Sequence, residues 1–307
     1  MDLVGIEGKG ESVWLGWFLA DNLKKFSDIL ATSKPEKSKK YAYEADRIVA
    51  AIEEHAWDGD WYLRAFYDDG TPLGSSKSEE CQIDSLAQSW SIITGLGNGE
   101  RQIQALKNVH KRLVDEEKRI IKLLTPAFEN TKKSPGYIKS YLPGVRENGA
   151  QYTHAATWVI LATALAGDGD KALELFQLIN PIDITSTKEG ANRYMGDPYV
   201  TCGDVLSNEQ HAGRAGWSWY SGSGGWLYRV GLEAIIGLKI YPDGFELNPN
   251  VPKDWPEFTM KIRLDQEYQV TAKQTGESKI ILNNRAIPGR RVLFAEAEQL
   301  NTVIIEF

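Results

Sequence analysis

Cysteine is scarce: Cys81 and Cys202 are the only two in 307 residues, too few for the disulfide framework of a small secreted domain. With the four scattered histidines they form no spacing that would hold a structural metal. No metal is expected, and a reducing, cytoplasmic setting is. Long apolar runs are missing too. The best, Trp158 to Ala166, falls short of the roughly 18 consecutive apolar residues of a membrane span and suits a buried helix. Positive charge is not in excess either. At a net charge of -7 and a pI near 5.3 the chain has no concentrated basic surface for a phosphate backbone, which argues against nucleic acid as a partner. The lysine cluster Lys34, Lys37, Lys39 and Lys40 is interrupted by Pro35, Glu36 and Ser38 and reads as a solvated linker. The amino terminus has no basic segment followed by an apolar core, so no secretory signal is expected.

At 42% hydrophobic and 25% charged residues, the composition is that of a globular protein long enough for one large domain or two smaller ones. Apolar residues at helical spacing predict helices from Glu11 to about Leu30 and from Tyr41 to Ala56, with a break at Ser33-Lys-Pro35. Further helices are predicted at about 83–95, 99–116, 150–166, 169–179 and 225–237. Trp57 to Pro72 reads as two short extended pieces around the turn Asp69-Gly70. Beyond Leu238 the apolar residues fall in short runs between Gly, Pro, Asn and Asp, a pattern of strands in a small sandwich. The expectation is therefore a mainly α chain, helical over 1–238 and β over 239–307. Helix pairs separated by long loops fit a toroid of paired helices with its site at one mouth.

Between His211 and Arg229 the chain crowds indoles, glycines and hydroxyls. Trp217, Trp219 and Trp226 offer flat faces with one polar edge, the complement of a pyranose ring. Ser218, Ser221 and Ser223 add hydroxyl donors, and bare glycine lets backbone N–H groups approach an anion. A second account, in which the glycines allow close packing before a helix and the indoles are core, fits as well. Met1 to Gly10 is a glycine-rich loop with no strand or helix before it, and an upstream segment is expected on that ground.

Five ordered segments carry a resemblance: Gly10-Glu-Ser-Val-Trp-Leu-Gly-Trp17, Trp57-Asp-Gly-Asp-Trp-Tyr-Leu-Arg-Ala65, Glu80-Cys-Gln-Ile-Asp-Ser-Leu-Ala-Gln-Ser-Trp90, Glu147-Asn-Gly-Ala-Gln-Tyr-Thr-His-Ala155 and the opening loop. Together they resemble the carboxy-terminal part of the inverting glycoside phosphorylases of glycoside hydrolase family 94. The resemblance implies that 1–238 is the carboxy-terminal part of an (α/α)6 catalytic barrel and 239–307 a small β-sandwich domain. In that family inorganic phosphate attacks the anomeric carbon of a β-glycoside while one carboxylic acid protonates the leaving oxygen. Phosphate serves as co-substrate and no cofactor is expected. An inverting hydrolase needs a second carboxylate to activate water, whereas phosphate needs positioning and charge compensation.

By the same resemblance the anion cradle maps onto His154, Ser221 and Gly222, with an arginine from earlier in the chain. Ser221 stands where relatives usually carry threonine. Read without the family, His154 fits a structural histidine. Tyr141 and Arg146 match positions that contact the acceptor sugar, and Tyr137 stands where cellobiose phosphorylases have glutamate. Glu147, Trp61 and Asp84 complete the expected sugar-binding set. Tyr137, together with Gly203 where those enzymes have glutamine, points toward β-1,2-glucan relatives. Asp84 and Gln88 fit a cavity wall, and a helix cap accounts for Asp84 equally. Asp58 and Asp60 beside Trp61 and Arg64 invite a two-carboxylate reading, but acids two apart on one turn cannot flank a glycosidic bond, and a role in holding the hairpin is expected.

The family's acid lies in the phrase Asp-Trp-Asn-Asp-Gly, which does not occur in the sequence and in relatives runs into the segment matching Met1–Gly5. No general acid is therefore expected within the chain. Three readings follow: a phosphorylase acting on β-glucan oligosaccharides, an inverting hydrolase using Asp60 or Glu147, and a non-catalytic carbohydrate-binding or partner subunit. Homodimer formation, or pairing with an amino-terminal half, is expected as well.

Overall fold

The computed structural model describes residues 1–219, 222–264 and 266–307. Among them the helices are α1 (Val13–Leu30), α2 (Pro35–His55), α3 (Ser85–Ile93), α4 (Gly99–Leu113), α5 (Thr153–Leu165), α6 (Gly169–Ile179), α7 (Pro181–Ile184), α8 (Lys188–Tyr194) and α9 (Ser223–Arg229). The last runs on as a π-helical segment, Val230–Ile235. Short polar side chains start most of them. Ser12 Oγ accepts from the Leu15 N–H, Asp84 Oδ1 from Leu86, Asn98 Oδ1 from Arg101 and Asp168 Oδ1 from Lys171, at 2.8–3.3 Å, each satisfying a donor that a helix start leaves open. Pro35 sits in the first turn of α2, where its missing N–H is not needed. The helix expected from Tyr41 thus begins at Pro35, and the lysines read as a linker are its exposed first turns.

α1, α3, α5 and α9 pack side by side in that order, while α2, α4 and α6 back α1, α3 and α5. The core between the two layers is built on Trp17, Tyr62, Ile83, Leu113, Val159 and Leu175. Each fully buried side chain of this kind contributes roughly 1.5–3 kcal/mol. Trp17 lies beneath Gly97, where a Cβ would fall 2.7 Å from the indole, so the chain can cross this ring only as glycine.

The hairpin after α2 joins the opening segment. Ala65–Phe66 pairs with Pro72–Leu73 on one side and Glu11–Ser12 on the other. At its turn, Asp68 accepts backbone N–H bonds from Glu7, Lys9 and Gly10 at 2.8–3.0 Å, so a single carboxylate holds the opening loop. Long connections follow, pinned by two-residue strands: Ile83–Asp84 with Leu124–Thr125, Val114–Asp115 with Ile120–Ile121, and Gln151–Tyr152 with Asp204–Val205. These connections, with the carboxy-terminal strands, leave the chain at 39% helix. It is mixed rather than mainly α.

From Leu238 onward the described residues form two sheets. Leu238–Tyr241, Gly244–Leu247 and Arg291–Leu293 make one; the other is ordered Glu257–Arg263, Glu267–Lys273, Leu300–Glu306, Lys279–Leu282, Arg285–Ile287. Alternation puts Tyr268, Val270 and Ala272 on the inner face. They share a core with Phe245 and Val292 of the first sheet. Glu267–Lys273 and Leu300–Glu306 run parallel.

The two-layer packing generates a stability prediction. Trp17→Ala removes a fully buried indole that packs on Tyr62 and beneath Gly97, and urea unfolding is expected to show a loss of about 3–5 kcal/mol. A loss of only about 0.5 kcal/mol, the size of a surface change, would mean that Trp17 is not part of the cooperative core.

Candidate active site

The strand Gln151–Tyr152 turns directly into α5, which puts His154 on the first turn of a helix whose start takes no side-chain cap. The Thr153 N–H donates to the Gly203 carbonyl at 3.0 Å, and the positive end of the helix dipole at His154 favours negative charge. The imidazole rests on aromatic rings, with centroids 4.6 Å from Trp158 and 5.8 Å from Trp226, and lies nearly parallel to Tyr152 at 6.5 Å. Its Nε2 is buried with no hydrogen-bond partner among the described residues. Burial pushes the imidazole below its ordinary pKa, because the charged form loses hydration. Gly222 closes the other side, and a Cβ added there would stand 3.9 Å from His154 Cε1. The structure therefore brings two of the three expected cradle residues together. Ser221, the third, lies outside the described residues.

Two adjoining cavities open at His154. One of about 310 Å³ runs past Arg146, Trp217 and Gly222. The other, of about 370 Å³, is walled by Tyr137, Arg64, Asp84, Trp14 and Met1. Glu147, Tyr152 and His154 belong to both. Glu147 Oε2 is buried at this junction with no partner among the described residues. A further cavity, about 340 Å³ between α1 and α2, contains none of the expected site residues.

The arginine wall is organised by a residue the sequence reading missed. Asp204, 5% exposed, accepts the backbone N–H of Arg146 at 3.3 Å and of Trp217 at 3.2 Å. Only glycine fits beside it, since a Cβ at Gly216 would lie 2.3 Å from Asp204 Oδ1. Arg146 holds a left-handed backbone (φ 50°), sparsely populated for a side chain of this size. Its guanidinium lies 4.6 Å from the Trp217 ring centroid and 5.4 Å from that of Tyr141. No local period or short motif links 146, 204 and 217, so only the fold could reveal this carboxylate.

The remaining expected residues divide. Tyr137 lies on the second cavity, its N–H donating to Asp2 Oδ1 at 2.7 Å and its ring meeting Tyr141 edge-on at 6.2 Å. Asp84 is both things the sequence left open: it caps α3 and lines that cavity, with its second oxygen 3.2 Å from Arg64 Nε in an ion pair lacking direct hydrogen-bond geometry. Burial raises the Asp84 pKa and Arg64 opposes the shift. Trp61 requires correction. It is 1% exposed, its indole N–H donates to the Gly74 and Gln82 carbonyls, and Arg112 covers its ring at 4.7 Å, so no face is left for a sugar. Gln88 faces away as well, exchanging hydrogen bonds with the Tyr62 backbone. Asp58 holds Ser75 and Ser76, and Asp60 is an exposed acceptor for Gln104. These two acids brace the hairpin, which removes Asp60 as a hydrolytic base.

Residues 1–237 match the family described as the glycosyl hydrolase 94 superfamily, catalytic domain. Over 290 residues the chain is 44% identical to the cyclic beta-(1,2)-glucan synthase NdvB of Rhizobium meliloti, covering 92% of this chain and 10% of that protein. Over 293 residues it is 29% identical to solabiose phosphorylase of Paenibacillus borealis, covering 94% and 38% respectively. The chain thus spans about a tenth of the first relative's length and 38% of the second's. Among solved structures, a glycosidase in complex with glucose superposes with a TM-score of 0.44 at 14% identity, covering 71% of this chain and 46% of that one.

Because burial alone depresses the His154 pKa, an anion seated against Nε2 should raise it and be bound together with a proton. Inorganic phosphate is therefore expected to move the His154 titration upward in NMR, and phosphate affinity should increase as pH falls from about 8 toward about 6. A titration that phosphate leaves unmoved would remove His154 from the anion site.

Proposed function

Because the chain belongs to the glycosyl hydrolase 94 superfamily, we propose that it carries the nucleophile and leaving-sugar side of an inverting glycoside phosphorylase acting on β-glucosides, with β-1,2-linked glucan oligosaccharides as substrates. The observation that carries this reading is the buried Nε2 of His154, unpartnered among the described residues, on a ring whose Cε1 lies beside Gly222 at an α5 start without a side-chain cap. Such a site offers an anion a donor and fixed dipoles in a water-poor setting. Phosphate held there forms a bond from one of its oxygens to the anomeric carbon as the glycosidic bond breaks, and the leaving oxygen takes a proton. The products are a sugar 1-phosphate of inverted configuration and a shortened glucan.

Arg146, Tyr141 and Tyr137 serve the leaving sugar in this reading, with Trp217 backing the arginine. Among the described cavity residues only Glu147 is a carboxylate with an uncommitted buried oxygen, since Asp84 is tied to α3 and Arg64. A nucleophile that is already an anion requires no second one. Glu147 then accepts from sugar hydroxyls. The family's leaving-group acid lies in the phrase Asp-Trp-Asn-Asp-Gly, which the 307 residues do not contain, and Met1 lines the second cavity. Residues 1–238 are read as the carboxy-terminal part of an (α/α)6 toroid and 239–307 as its small β domain; the inner row α1, α3, α5, α9 with its outer row supports this. The 44% identity to a cyclic beta-(1,2)-glucan synthase supports the linkage.

The test is an assay for glucose 1-phosphate from β-1,2-linked glucose oligomers, with and without phosphate. A chain extended at Met1 by a segment bearing the acid should release it only with phosphate. The 307-residue chain alone should be slower by about 10²–10⁴-fold. His154→Ala in the extended protein is expected to lower the rate by about 10²–10³-fold. Free sugar released without phosphate, and lost in Glu147→Gln, would favour hydrolysis instead. Oligomer binding with no turnover in either protein would favour a binding module.

A further inference from the structure

Trp219 is a large apolar side chain left 78% exposed. Its backbone is left-handed (φ 65°), a conformation disfavoured for a bulky residue and one that persists only where surrounding contacts enforce it. Its side chain is held in place. The indole N–H donates to Asp197 Oδ2 at 2.9 Å, and Ser218 Oγ donates to the same oxygen at 3.1 Å. The polar edge of the ring is thus pinned while its face stays open to solvent. Tyr199, on the same loop as Asp197, is 85% exposed. Two residues before Trp219, Trp217 forms the wall of the first cavity under Arg146.

We infer that Trp219, with Asp197 beside it, is an outer sugar subsite that stacks a further glucose unit of an oligosaccharide whose end occupies the cavity at Arg146 and Trp217. The inference rests on the carbohydrate reading above and deepens it: the substrate is an oligomer, not a disaccharide. A flat indole with a fixed edge presents a pyranose with the apolar face its C–H groups need. The Asp197 carboxylate, which holds Ser218 and Trp219 through Oδ2, places a second acceptor oxygen for a ring hydroxyl at the same place. A ring left free to rotate would lose entropy on binding; one already pinned does not.

Calorimetry with the whole chain in phosphate, using β-1,2-linked glucose dimer and tetramer as probes, tests this. The tetramer is expected to bind about tenfold more tightly than the dimer, and Trp219→Ala should abolish that gain while leaving dimer affinity unchanged. Trp219→Phe should retain most of the gain. Asp197→Ala, which frees the ring edge, should lose part of it. Wild type and Trp219→Ala binding the tetramer alike would overturn the subsite and leave the carbohydrate reading standing. Equal loss of dimer and tetramer would also overturn it, by assigning Trp219 to the inner cavity. Wild type binding neither probe would bring down both. Concentration-dependent self-association that Trp219→Ala abolishes would assign the ring to a contact between copies instead.

Discussion

The packing of Trp14, Trp90, Trp158 and Trp226 fixes where four helices meet, and His154 rides on it. Trp90 and Trp226 each meet Trp158 edge to face at 5.2 and 5.7 Å, and Trp14 closes the group at 6.0 Å from Trp158. One ring comes from each of α1, α3, α5 and α9. Aromatic pairs in this geometry are worth about 0.5–1.5 kcal/mol beyond the area they bury. They also have fewer alternative arrangements than aliphatic contacts of the same size. Once they interlock, the inner helices cannot slide, and the imaginary line from His154 to Gly222 has a defined length.

That rigidity comes with an electrostatic debt concentrated in one place. The indole N–H groups of Trp14, Trp90 and Trp158, together with His154 Nε2 and Glu147 Oε2, are buried without partners among the described residues. Each such group costs about 1–3 kcal/mol relative to a satisfied one. Trp14, Trp158, His154 and Glu147 all border the second cavity. A polyhydroxylated guest with an anion beside it is chemically suited to relieve that cost, whereas a hydrocarbon guest would leave it standing.

The longer helices were legible because they rest on local devices: a repeating apolar stripe, a capping Ser, Asp or Asn, a break before Pro35; the short Pro181–Ile184 and Lys188–Tyr194 offer too few residues for a stripe and were missed. The strands after Leu238 were legible from alternation and turn residues. Where the sequence misled, distance along the chain is the reason. Lysines spaced between Pro and Ser read as linker until their helix is seen packed on α1. Trp61 sits in a phrase rich in acids and looks like a sugar-binding indole, yet its N–H is spent on carbonyls 13 and 21 residues away. At the site, His154, Gly222, Arg146 and Tyr137 came from the family resemblance, and the fold puts them around adjoining cavities. Asp204 had no such signal, since its partners are brought to it by the pairing of Gln151–Tyr152 with Asp204–Val205.

The grip of Asp68 on Glu7, Lys9 and Gly10 adds to the opening loop's own turn, Gly8 N–H to the Gly5 carbonyl at 3.0 Å, and ties that turn to the hairpin. The loop's path past the cavity is tied to a hairpin some sixty positions later, so loop and hairpin form one packed unit. Anyone wishing to re-aim the approach to the cavity, or to transplant it between relatives, would have to move hairpin and loop together. Because all three donors are backbone N–H groups, a replacement loop would have to retrace this path for Asp68 to keep its partners.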